Sequence, residues 1–216
     1  MRFFKGRGNI SKSIFYRSNT LAGRRIRDRW HNSTPERDNR DVIGEKSSDD
    51  QASALAFILW RHALNGAINL HAEDFRYDSD QQRIGVISEL LAFQIQHVDR
   101  LTHSFIDQQS RSALITELCN KVAQHMQENL SDIAGPGNYI PPFIALLNKR
   151  FESYAAFSYN DHIPGYGSFR YLGHQVLEIM GEDQDNRWVI DQIIEIDAPD
   201  MTDQVTKSTQ RLFGRD

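Results

Sequence analysis

Four ionisable side chains, Glu89, His97, Arg100 and His103, lie within a span of 15 residues. They combine a carboxylate, two imidazoles and a guanidinium, the groups that move protons and hold anions. Glu89, Gln96 and His103 recur every seven residues, so a helix would stack them along one side with Arg100 between their turns. A polar ladder beside an apolar stripe suits acid–base or ligand-binding chemistry if it lines a cavity. The plainer reading of the same spacing is the solvated margin of an amphipathic helix.

Metal chemistry asks for three or more converging ligands. Helical di-metal carboxylate proteins draw theirs from paired Glu-x-x-His motifs. Here the positions three after Glu89, Glu117 and Glu128 are Ala92, Asn120 and Ser131, and His125 with Glu128 runs in the reverse order. HExxH is absent too. No metal ligand set and no cofactor are expected. The single cysteine, Cys119, excludes an intrachain disulfide, a CxxC motif and zinc sites built on several thiolates. Beside Leu118 and Val122 on a helical pattern, it is expected to be a buried, inert thiol.

Phosphate-binding loops of the GxxxxGK[ST] type, GxGxxG and GxSxG are all missing. Gly165-Tyr166-Gly167 is the nearest approach to an anion nest, with helix-start amides at Phe169 and Arg170, but it has neither the preceding strand nor the Lys. Its neighbours make His162, Tyr166 and Arg170 the second group of candidate binding residues, because loops concentrate such residues. A simple connection between helices is the plainer alternative.

Charge is distributed unevenly along the 216 residues. Residues 1–50 hold 12 basic and 7 acidic side chains, a net +5, whereas residues 51–216 hold 13 and 22, a net −9. The first acid is Asp28, and Arg2, Lys5, Arg7, Arg24, Arg25 and Arg27 precede it among Phe3, Phe4, Phe15 and Tyr16. One reading of an arm of this composition is contact with nucleic acid or an anionic membrane surface. It also reads as an Arg- and Ser-rich transit peptide, which would place the protein in the mitochondrial matrix, or as a solubilising tail in a cytoplasmic one.

The elements that must hold these groups are read from periodicity. Phe57, Trp60, Leu64 and Ile68 predict a helix over about residues 50–70. Ser79 and Gln82 form a capping-box pattern before a helix over 81–106, whose stripe is Ile84, Ile87, Leu91, Val98, Leu101 and Phe105, with Gln94 in one slot. Leu114, Leu118, Val122, Met126 and Leu130 predict a third helix over 112–131. Pro141-Pro142 suits the first turn of a fourth, carrying Phe143, Leu147, Phe151 and Tyr154 to about Asn160. Ser168 is read as the cap of a fifth helix ending at Gly181. Residues 186–197 carry β-branched runs, yet Val189, Ile193 and Ile196 keep helical spacing, so a helix is favoured; a weak tail helix follows Pro199.

The predicted fold is therefore all-α, an irregular bundle of about five or six helices over 49–216, preceded by a flexible basic arm and linker over 1–48. No apolar run reaches the roughly 20 residues of a membrane-spanning helix. The leading functional expectation is a non-enzymatic interaction or adaptor module with a protein partner. The rival is an enzyme or small-ligand-binding bundle with a polar pocket around Glu89, His97, Arg100 and His103.

Overall fold

The structure, a computed structural model, describes residues 48–182 and 186–215. The six basic candidates of the arm lie outside them. The described residues form an almost entirely helical fold, as expected. Its elements are α1 (Ser48–Ala72), α2 (Asp80–Thr102), α3 (Gln108–Ala134), α4 (Ile140–Ala155), α5 (Tyr166–Met180) and α6 (Val189–Gln192), then a π-helical turn over Ile193–Asp197 and α7 (Ala198–Leu212). The β-structure among the described residues is one hairpin, β1 (Tyr159–Asn160) antiparallel to β2 (Ile163–Pro164). No described helix is long and apolar enough to cross a membrane.

Helix α2 is the axis of the bundle, touched by α1, α3, α4, α5 and α7. Ile84, Ile87, Leu91, Val98 and Leu101 are buried, and so are Val86, Leu90, Phe93 and Ile95 on its other faces. A helix apolar all round has to be enclosed. The Ser79 side chain accepts a hydrogen bond from the Gln82 amide at 3.2 Å and opens it. It closes at Thr102, four residues before the predicted end. There the Thr102 hydroxyl donates to the Val98 carbonyl at 2.7 Å, and the Ser104 and Phe105 amides turn back only three residues. Phe105 leaves the stripe and packs against Phe213, ring centroids 5.4 Å apart.

Helix α1 has the predicted period but a different phase. Its buried face is Ala52, Leu55, Ala56, Leu59, Trp60, Ala63, Ala67 and Leu70, while Phe57 and Leu64 lie half-buried and Ile68 is exposed. The alanines let α1 approach α2 and α3 closely, and that contact outweighs the larger side chains on the margin.

Asp107 caps α3 by accepting from the Gln109 and Ser110 amides at 2.9 and 3.0 Å, so that helix begins four residues before the predicted start. Pro141 and Pro142 stand in the first turn of α4 as predicted. Helix α5 begins at Tyr166 behind Gly165 rather than behind Ser168, which is buried two residues into the helix. A side chain at Gly165 would collide with Ser158, whose carbonyl accepts the Gly165 amide at 2.8 Å. Only glycine permits that approach. The run after residue 186 is helical as favoured. Asn186 ties its start to the α1–α2 connection by bonding both the amide and the carbonyl of Arg76.

Candidate functional site

Glu89 is buried at the meeting of α2, α4 and α5. Its carboxylate accepts two hydrogen bonds from Arg150, Nε to Oε2 and Nη2 to Oε1, both 2.7 Å. Arg150 Nη1 donates to the Tyr171 hydroxyl at 3.0 Å, and the guanidinium lies 5.7 Å from the centre of the Tyr171 ring. The fork geometry matches a carboxylate with two parallel bonds. The Glu89 hydrogen bonds raise the pKa of Arg150 further, and both carboxylate oxygens are engaged by the guanidinium.

His97, two turns further along α2, is 1% exposed. Its Nε2 lies 2.8 Å from the Thr206 hydroxyl on α7, and its Nδ1 lies 3.1 Å from the Tyr159 hydroxyl on β1. Burial lowers its pKa to about 4, against a hydrogen bond to the Thr202 backbone that raises it. A neutral imidazole with one donor and one acceptor nitrogen therefore clasps α2, α7 and the hairpin. Arg100 is half-buried and reaches the Ala155 carbonyl at 3.4 Å. His103 is exposed beyond the end of α2.

The ladder is thus split. Glu89 and His97 are buried in separate networks, Gln96, His97 and Arg100 line one small cavity, and His103 stands apart. That cavity measures about 20 Å³, also bounded by Phe93, Tyr159 and Ser168. It has room for about one water molecule. The solvated-margin reading fails for Glu89, Gln96 and His97, because α5 and α7 cover the side of α2 that an isolated amphipathic helix would leave wet.

The second candidate loop is the β1–β2 hairpin and the start of α5. Asp161 and His162 form its two-residue turn, both at positive φ, 50° and 65°. Such a pair matches the twist of a tight hairpin, at a steric cost for residues other than glycine. The base is fixed by the Tyr159–His97 contact and by buried Pro164. The outer side is open: Ile163 is 57% and Tyr166 64% exposed, with His162 and Arg170 exposed beside them in the chain.

A third place was not marked by any motif. The cleft between α1 and α7 measures about 210 Å³ and is lined by His62, Asn65, Asn69, Asp197, Asp200 and Gln204, with Gly66 and Met201. Asp197 ends the π-helical turn, in which the Ala198 amide reaches back five residues to the Ile193 carbonyl. Its carboxylate is buried, and Oδ2 has no hydrogen-bond partner among the described residues. Burial raises its pKa to about 6, a Gln192 hydrogen bond opposing and Asp200 and Glu73 adding to the rise.

No family model, curated protein or solved structure matches the chain. Among the described residues no group of three or more His, Cys, Asp or Glu side chains converges as a metal site. Cys119 is half-buried, its thiol pushed up to about 12 by burial and then by Asp99, which fits the inert reading. The cleft did leave a trace in the sequence: His62, Asn65 and Asn69, like Asp197, Asp200 and Gln204, are polar residues three, four or seven apart. Only the pairing of the two helices turns them toward one another.

Proposed function

We propose that the protein is a non-enzymatic interaction module whose helical body docks a protein partner through the β1–β2 hairpin and the first turns of α5. One observation carries this reading: Ile163 and Tyr166 are presented to solvent on a turn whose base is tied down, with Arg170 one helical turn after Tyr166. Tyrosine and arginine dominate the energetic centres of protein interfaces, and a rigid mount lowers the entropy lost on docking. The partner surface that suits them is an apolar pocket with an acidic rim. Support also comes from the ladder, whose Glu89 and His97 are engaged in holding helices together rather than facing open space.

The rival, an enzyme acting through Glu89, His97, Arg100 and His103, draws less support from a cavity of about 20 Å³. In the proposal the basic arm contacts a second partner, a polyanion such as nucleic acid or an anionic membrane, and the protein acts in the cytoplasm. The test is affinity capture from source cells followed by binding of the purified components. A stoichiometric protein partner is expected to bind wild type directly and to lose about 2 kcal/mol or more with Tyr166→Ala, at unchanged melting temperature. A partner bound equally by Tyr166→Ala and Ile163→Ser would overturn the hairpin as the contact.

A further inference from the structure

The α1–α7 cleft has a charge pattern that docking through the hairpin does not use. Its walls bring in two carboxylates, Asp197 and Asp200, and neither Lys nor Arg lines it. His62 on the facing wall has its pKa lowered, first by burial and then by Arg61, against a Gln204 hydrogen bond, which disfavours a positive charge there. Asp197 is 9% exposed, and its Oδ2 lacks a partner among the described residues. A buried acceptor without a donor costs on the order of 1–3 kcal/mol, more if charged, and a positive charge held in the cleft beside it would offset part of that cost. Asn65 and Asn69 offer further amide oxygens around the same space, while the Gln204 side chain is hydrogen-bonded to His62.

Size narrows the guest. At about 210 Å³ the cleft is far larger than the space of one water, yet below the roughly 300–1,000 Å³ of sites for drug-sized molecules. A metal ion would require three or more converging ligands, and the described residues offer no such group. An organic cation needs only one buried counter-ion and a few acceptors.

We propose that the α1–α7 cleft binds a small organic cation rich in N–H donors, an alkylammonium or guanidinium compound, with Asp197 as its buried counter-ion and Asp200 as a second carboxylate. The site is independent of the hairpin, so Tyr166→Ala should leave it intact.

Calorimetric titration of the full-length protein with agmatine, with putrescine and with 1,4-butanediol, the neutral counterpart of putrescine, tests it. At least one cation is expected to bind one-to-one with a Kd below about 1 mM, and the diol not at all. Asp197→Asn, which keeps the shape of the side chain, should weaken binding about tenfold or more. Should that variant fail to fold, Asn65→Leu, on an exposed position of the cleft wall, should block binding by bulk and remove a polar group. The proposal is overturned if neither cation gives heat or raises the melting temperature at about 10 mM. It is equally overturned if the diol binds as well as putrescine, or if the substituted proteins bind like wild type.

Discussion

Arg150 and Glu89 are both buried, and their two 2.7 Å bonds are what make that tolerable. Removing one partner leaves the other charged and alone, so Arg150→Met should destabilise the protein by about 3–5 kcal/mol in urea unfolding. The double variant Glu89→Leu/Arg150→Met should recover most of that loss, because two apolar side chains carry no desolvation cost. His97 and Asp197 titrate in opposite senses. The folded state holds His97 at about 4, below its ordinary value of 6.5, so its contribution is complete above pH 6.5 and is lost as pH falls toward 4. Asp197 is raised from 3.8 to about 6, so its contribution is complete below about pH 4 and is lost as pH rises through 6. In melting curves from pH 4 to 7.5, His97→Gln should flatten the acid limb. Asp197→Asn should raise stability above pH 6 by about 1 kcal/mol, after allowance for solvent screening.

Between elements the decisive features are close approaches and a shift of helical register. Val189 to Leu212 runs as one rod, since the backbone stays right-handed through Gln192, Ile193, Asp197 and Ala198. Pro199 has no amide to offer the carbonyl four residues back, and its ring would collide with that carbonyl. The wider turn over Ile193–Asp197, just before it, accommodates the proline and ends at the carboxylate lining the cleft. Gly173 of α5 sits against the Ile190 backbone: an added Cβ would lie 3.3 Å from its Cα and its carbonyl oxygen. Gly173→Ala should therefore push α6 away and cost about 1–3 kcal/mol, despite the better helix propensity of alanine. Denaturant unfolding would measure that loss, and an unchanged midpoint would mean that α5 and α6 separate more easily than their packing implies.

At the scale of the molecule the charge asymmetry dominates. Residues 51–216 carry a net −9 and should repel polyanions, so any attraction has to come from the first 50 residues with their net +5. Helix α1 begins at Ser48. Deleting residues 1–47 is expected to leave the melting temperature within a few degrees and to abolish binding to nucleic acid and to anionic vesicles. With the full chain that binding should fall steeply with salt as counterions compete, whereas docking through Tyr166 and Ile163 should change little. Electrophoretic shift and vesicle sedimentation at low and high salt distinguish the two. A full-length protein indifferent to polyanions at low salt would leave the arm a targeting or solubilising segment.

Local chemistry alone determined much of this chain. Ser79, Pro141-Pro142 and Gly181 mark helix boundaries because capping, fixed φ and left-handed freedom act within a few residues of themselves. The stripes of α2 and α3 were legible for the same reason: burying one face needs a repeat, and a repeat is visible in one dimension. Tertiary packing decided the rest. The small alanines of α1 set its phase, a choice that exists only once α2 and α3 are beside it. Arg150 lies 61 residues from Glu89 and Thr206 109 from His97, so no spacing along the chain announces either network. The cleft carboxylate Asp197 looks like a surface acid until the helices pack around its turn, because burial belongs to the fold and not to the residue.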